Sequence, residues 1–167
     1  MKKLLFTVSF AIIVISNMAA QGISEAGLLG AGLQGTSLNY GISAKYNLTE
    51  IHTAQLVIGG ANYGFGTSAL TLTGRYLYNF YESGNVRPYA GGQLGYWSVK
   101  FDLGQFGKDK YTALAYGVFG GVEYAFNGLD QLGFSAEIGY GGGSFGSGLP
   151  SFTGITVGAG IHYYFNL

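Results

Sequence analysis

The chain has 167 residues, with eight basic and eight acidic side chains, no cysteine and only 10% charged residues. That excludes a disulfide framework and a thiolate metal site, and without a basic cluster there is nothing to hold a polyanion such as nucleic acid. Its 31 glycines are well over twice ordinary usage of about 7%, and with 14 Tyr and 12 Phe the chain is too aromatic for disorder and lacks the Gly-x-y period of collagen.

Lys2 and Lys3 precede an apolar run from Leu4 to Ser16, followed by Asn17-Met18-Ala19-Ala20. A positive start, a short apolar core and small residues before a cut predict a secretory signal peptide at residues 1–20, cleaved after Ala20. The run has 13 residues, too few to span hydrocarbon about 30 Å thick as a helix. The mature segment is then 21–167, read as one domain. Two of the eight basic residues leave with the signal, so six face eight acidic groups, a formal charge of −2.

Side chains in a strand alternate faces, so apolar residues at every second position mark a sheet with one greasy face. Gly27 to Gly35 opens the sheet, with its facing ambiguous because Leu28 and Leu29 are adjacent. Tyr40, Ile42, Ala44 and Tyr46 then alternate with Gly41, Ser43, Lys45 and Asn47, and residues 47–50 turn the chain. Ala54, Leu56 and Ile58 alternate with Thr53, Gln55 and Val57. In the fourth strand Leu70, Leu72, Gly74, Tyr76, Tyr78 and Phe80 oppose Thr71, Thr73, Arg75, Leu77 and Asn79. Glu82 to Asn85 reads as a tight turn, since Gly and Asn accept positive φ.

A fifth strand runs from Arg87 to about Val99, with Leu94 and Tyr96 outside and Gln93 inside. The sixth sets Leu114, Tyr116, Val118, Val122, Tyr124 and Phe126 against Ala113, Ala115, Gly117, Gly121 and Glu123. After a turn at Asn127 to Asp130, the seventh has Leu132, Phe134, Ala136, Ile138 and Tyr140 outside, with Gly133, Ser135, Glu137 and Gly139 inside. The eighth, Thr153 to Phe165, carries Ile155, Val157, Ala159, Ile161, Tyr163 and Phe165 on its apolar face. The expected loops are 33–39, 60–69, 100–110 and 141–152; residues 100–110 alone hold five of the mature chain's 14 charges.

Eight strands with an apolar face on nearly every one, and no other element to cover it, predict an all-β fold. The pattern fits an eight-stranded antiparallel up-and-down transmembrane β-barrel facing lipid. Alternating short and long connections fit one rim in the periplasm and one outside the cell.

Two motifs carry a resemblance. Arg87-Pro88-Tyr89-Ala90-Gly91-Gly92 leads a strand, and Gly160, Tyr163 and Phe165 close the last one. Together with the pattern over the whole mature segment, they resemble the small outer-membrane β-barrel domain of the OmpA/OmpX type. The resemblance implies residence in the outer membrane of a Gram-negative bacterium and a C-terminal assembly signal at Gly160, Tyr163 and Phe165, read by the barrel assembly machinery. With no further domain read after Phe165, no peptidoglycan-binding module of the kind the longer members carry is expected.

On the assigned facing, Lys45, Arg75, Glu123 and Glu137 point into the lumen, all in its periplasmic half. A cation against mid-bilayer lipid costs roughly 2–4 kcal/mol, which forces them inward. An eight-stranded barrel is only wide enough for side chains to fill it, so these charges are expected to plug it. Tyr46, Tyr78, Phe80, Tyr124, Phe126, Tyr163 and Phe165 are expected to form a periplasmic aromatic girdle, and Tyr40, Tyr96, Tyr116 and Tyr140 an outer one. Phe106 and Phe145 are loop aromatics that could meet carbohydrate.

Lipid A-modifying barrels are the enzymatic alternative. Their chemistry needs a Ser nucleophile, a His base and an acidic orienter near the outer leaflet. The two histidines, His52 and His162, both fall at periplasmic strand ends. The sequence therefore predicts no catalytic site, no metal and no cofactor. The expected function is structural or surface-interacting, with a narrow pore for ions or small solutes as the alternative. Expected partners are outer-membrane lipids, lipopolysaccharide and an unidentified extracellular ligand of the loops, the protein itself being a monomer.

Overall fold

The computed structural model describes residues 23–64, 67–80, 85–102, 108–145 and 151–166. Eight strands follow in chain order: β1 (Leu28–Thr36), β2 (Tyr40–Asn47), β3 (His52–Gly64), β4 (Thr67–Asn79), β5 (Val86–Asp102), β6 (Lys108–Phe126), β7 (Leu129–Phe145) and β8 (Phe152–Asn166). Each pairs antiparallel with its sequence neighbours, and β1 pairs with β8, so the sheet closes into a barrel. Closure leaves no edge strand with unpaired backbone groups. The expected signal peptide, the turn residues Glu82, Ser83 and Gly84, and Phe106 lie outside the described residues.

Alternation sets the two faces as expected. Ile42, Leu56, Leu72, Leu94, Val118, Ile138 and Ile155 are exposed on the outside. Ser43, Lys45, Thr53, Gln55, Thr73, Arg75, Gln93 and Glu123 are buried inside. The ambiguous first strand resolves by the same rule: Leu28 and Gln34 are buried and Leu33 is exposed.

The rim that carries the start of β1 and the end of β8 also carries the short turns, here called the terminal rim. At one of them Asn127-Gly128 joins β6 to β7, and Gly128 sits at φ 81°, where a Cβ would be strained. The opposite, distal rim departs from expectation. Residues 60–69, 100–110 and 141–152 were expected as loops, but their ladders run on to Gly64↔Thr67, Asp102↔Lys108 and Gly143↔Phe152. With 17, 19 and 17 residues, β5, β6 and β7 are well beyond the roughly 9–11 that a bilayer requires. Paired strands therefore continue past the membrane span, and residues 65–66, 103–107 and 146–150 of the expected loops lie outside the described residues.

The expected loop at 33–39 is also corrected. β1 continues to Thr36, leaving a three-residue turn. Thr36 Oγ1 accepts from the Leu38 and Asn39 amides at 3.1 and 3.0 Å, which folds the turn tightly. Leu38 and Asn39 are buried rather than displayed. At the terminal rim the segment before β1 tucks underneath: Ile23 is buried against Leu28, Ala125 and Tyr164.

Candidate functional site

The lumen is where the chain departs most from a simple apolar-out, polar-in pattern. Its terminal half is crowded with charged and aromatic groups on strands from all sides of the barrel. Lys45 projects from β2, Arg87 from β5, Glu123 from β6 and Tyr164 from β8, and all four are buried. Lys45 Nζ donates to Glu123 Oε1 at 2.8 Å and Arg87 Nη2 to Glu123 Oε2 at 2.9 Å. The Tyr164 hydroxyl lies 2.9 and 3.0 Å from the same two oxygens. One carboxylate thus draws bonds from three other strands across the lumen.

A second cluster sits beside it. Arg75 Nη2 is 2.7 Å from both Glu137 oxygens, and Arg75 Nη1 donates to Gln55 Oε1 at 2.8 Å. The Tyr89 hydroxyl donates to Glu137 at 3.1 Å. Phe119 stacks under the guanidinium, its ring centre 4.0 Å from Cζ, and packs edge-on against Tyr89. A buried charge is tolerated only when paired and bonded, and each of these carboxylates meets both conditions.

The four charges read from the sequence all face inward and pair as Lys45–Glu123 and Arg75–Glu137. Glu137 lies midway along β7. One correction follows. Among the described residues the lumen holds a third cation beside Lys45 and Arg75, because Arg87 faces inward and is 1% exposed. That was legible from parity: Gln93 was assigned inward and Arg87 shares its phase on β5. The run Pro88-Tyr89-Ala90-Gly91-Gly92 between them blurs the alternation. Arg87 Nη1 also donates to the Ile23 carbonyl at 2.8 Å, and Asn47 Nδ2 to the same carbonyl at 2.9 Å. The segment before β1 is thereby tied to the charge layer above it.

His162 lies fully buried with Nε2 2.9 Å from Ser43 Oγ, across 119 residues of sequence. The pair invites comparison with a nucleophile and its base, but Nδ1 of His162 meets no orienting carboxylate. Ser43 Oγ also accepts from Gln55 Nε2 at 2.8 Å. The contact belongs to a hydrogen-bond chain inside the wall. His52 is on the outer face, with Nδ1 2.6 Å from the Tyr76 hydroxyl and its ring against Tyr76 and Tyr78.

The distal half of the lumen is lined by smaller residues, among them Gly59, Ala115, Gly141 and Thr156. Leu38 fills part of it from above. A Cβ on Gly141 would lie 2.8 Å from Leu38 Cδ1, so the turn packs onto the opposite wall through a glycine. The two halves are closed differently: ion pairs and tyrosines below, an inturned apolar side chain above.

On the outer face Tyr46, Tyr78, Phe80, Tyr124 and Phe126 are all exposed close to the terminal rim. Tyr124, Phe126 and Phe134 form consecutive edge-to-face pairs at 4.7 and 5.2 Å. Tyr163 and Phe165 share this outer face on β8, and Gly160 faces inward, where a Cβ would crowd Gln34 Oε1 and Ser135 Oγ. Tyr40, Tyr96, Tyr116 and Tyr140 are exposed farther toward the distal rim. Between the two groups lies a shallow apolar groove of about 900 Å³, floored by Gly74 and Gly92 and walled by Tyr76, Leu94, Tyr116 and Val118.

A closed eight-stranded barrel with an apolar belt outside and charges locked inside is an arrangement known from other proteins. The sequence matches the family described as outer membrane protein beta-barrel domain over residues 11–165. The chain belongs to that family. Its place is the bacterial outer membrane, and the exposed apolar belt is its lipid-facing surface. Among solved structures, the N-terminal β-barrel domain of Pseudomonas aeruginosa OprF is 17% identical, with a TM-score of 0.62 over 84% of this chain and 98% of that one. Neisserial surface protein A (NspA) is 21% identical, with a TM-score of 0.59 over 83% of this chain and 94% of that one. At these identities the likeness is one of fold. A comparison with curated protein sequences gave no match.

Proposed function

We propose that the mature barrel, residues 21–167 after removal of a signal peptide at 1–20, is a non-conducting and non-enzymatic member of its family. Its role is structural and surface-directed. The observation that carries this reading is the crossing of the lumen by Lys45, Glu123, Arg87 and Tyr164, which meet at one carboxylate through contacts of 2.8 to 3.0 Å from strands on different sides of the barrel. Arg75 and Glu137 add a second barrier, and Leu38 a third. The terminal rim, with its short turns, faces the periplasm, and the distal hairpins β3–β4, β5–β6 and β7–β8 face outward. What is displayed is therefore a set of β-hairpins, with Lys100 opposite Lys110 near the end of the β5–β6 ladder.

The partners that follow are lipopolysaccharide and other lipids around the belt, and the assembly machinery acting on β8 through Gly160, Tyr163 and Phe165. An extracellular ligand would meet the hairpins. The barrel works as a monomer, since the closed sheet offers no edge for pairing. No cofactor enters this account, and the buried Ser43–His162 contact has neither an acidic orienter nor access to a substrate in the outer leaflet. Planar-bilayer recording of the purified protein is the direct test. Rare or absent openings are expected; large, steady conductance would replace this reading with that of a narrow pore.

A further inference from the structure

On the outer face of β5 and β6 the apolar belt ends in a like-charged rung. Lys100 is paired directly with Lys110, and both are exposed. They share the phase of the exposed Leu94 and Tyr96 on β5 and of Leu114 and Tyr116 on β6, so both leave the wall on its lipid-facing side. Like charges directly opposite one another destabilise a sheet. The ion pairs among the described residues are all in the lumen, and none involves either lysine. On the flanks, Ser68 faces Lys100 from β4, and the β6–β7 ladder ends at Ala113↔Phe145, before it reaches Lys110. The next outward rung, Asp102 opposite Lys108, carries one charge of each sign.

Depth along the strands gives this rung a level. At about 3.3 Å per residue and a tilt of about 40°, β5 climbs about 35 Å from Val86, opposite the girdle residue Tyr124, to Lys100. Hydrocarbon is about 30 Å thick, so the pair stands at headgroup level. The apolar groove of about 900 Å³ lies on the same strands, at the rungs Gly92↔Val118 and Leu94↔Tyr116. By the same measure Leu94 is about 15 Å below Lys100, the depth of one leaflet's hydrocarbon. The groove reaches from Ala54 on β3 to Tyr140 on β7, so it lies beneath the pair despite the tilt. A cationic pair at head level and an apolar furrow at tail level thus follow one path down the belt.

We propose that this face seats one lipid of the outer leaflet, the phosphorylated glycolipid anchor of lipopolysaccharide, with a phosphomonoester between Lys100 and Lys110 and an acyl chain in the groove. A phosphomonoester carries about −1.5 to −2 charges at neutral pH, which two lysines match, whereas the phosphodiester of a glycerophospholipid carries a single charge. The inference deepens the reading of lipopolysaccharide as a partner and rests on the distal rim facing outward. Lipid selection in vesicles does not depend on that orientation, so the two can fail separately.

The experiment reconstitutes the folded protein in phosphatidylcholine vesicles with a trace of spin-labelled lipid. The immobilised fraction of the label gives each lipid's association relative to phosphatidylcholine. The probes are bisphosphorylated lipid A, the same lipid without phosphates, and phosphatidylglycerol. Lipid A is expected to be preferred about thirtyfold, from roughly fivefold per lysine, with the dephosphorylated form near parity and phosphatidylglycerol between them. K100Q/K110Q should abolish the preference. Gly92→Leu should lower it severalfold by filling the groove; a Cβ there meets only the Gly117 carbonyl at 3.7 Å, an ordinary contact, so the wall keeps its shape. Heat-modifiable gel mobility verifies that both variants are folded. Equal association of lipid A and phosphatidylglycerol, or an unchanged preference in either variant, would overturn the proposal.

Discussion

Replacing Glu123 by Gln tests the closure of the lumen most sharply. The carboxylate has two oxygens, each serving one cation and both within reach of Tyr164, in a site with no exposed surface. A carboxamide keeps one oxygen but presents its NH₂ to the other cation, setting donor against donor. Removing one member of a buried pair costs about 3–5 kcal/mol, because the remaining charge is left uncompensated. Here Lys45 and Arg87 lose the same partner at once, so E123Q belongs at the upper end of that range. By contrast, Glu137→Gln leaves a single cation uncompensated, Arg75, which keeps Gln55 and the face of Phe119, while the Tyr89 hydroxyl can still donate to the amide oxygen, and about half the loss is expected. Lys45→Met leaves Arg87 to compensate Glu123. The double variant K45M/E123Q should then be less unstable than the sum of the single changes, by about 0.5–3 kcal/mol. Urea titration in lipid vesicles, read by heat-modifiable mobility, measures all four. If E123Q fell within about 0.5 kcal/mol of the parent, as an ordinary surface change would, the reasoning would be refuted.

Three further outcomes follow from named contacts. Leu38→Ala should open the distal mouth and raise the quenching of Trp97 by acrylamide severalfold without altering gel mobility; unchanged quenching would show that the turn does not cover the indole. Gly32→Ala drives a Cβ into the Ile161 carbonyl on the β1–β8 seam, whereas Gly154→Ala meets nothing within 4 Å. The first should reduce the folded fraction on gels, at a cost of about 1–3 kcal/mol or more, and the second should leave it intact. Phe126→Ala removes two edge-to-face partners, Tyr124 and Phe134, and should cost about 1–3 kcal/mol in vesicle unfolding from those pairs; a neutral result would mean that lipid replaces both contacts.

Much of this architecture was legible because a lipid-facing wall enforces strict alternation. Parity alone placed Lys45, Arg75, Glu123 and Glu137 inside and the girdle aromatics outside. Where the wall leaves the membrane that constraint lapses. Gly59 to Gly64, Lys100 to Asp102 and Gly141 to Phe145 are strand, yet their small and polar residues are also those of loops. Leu38 was missed for a related reason: an apolar residue in a three-residue turn has no periodicity to show that it folds inward. Contacts across the lumen were not legible at all. That Ser43 meets His162, or that Lys45 and Arg87 share one carboxylate, depends on which strands the closed barrel sets opposite one another.

Glu123 bears on how such a molecule comes into being. Its partners belong to β2, β5 and β8, so no isolated hairpin and no half-formed sheet can satisfy it. Arg87 faces Glu123 directly across the β5–β6 hairpin, but Lys45 and Tyr164 reach the same carboxylate only from β2 and β8. Water must stay beside it until the last strand docks and then be expelled as the bonds form. The last bonds to the carboxylate, from Lys45 and Tyr164, therefore form only as the sheet curls and closes, which couples completion of the charge layer to completion of the barrel.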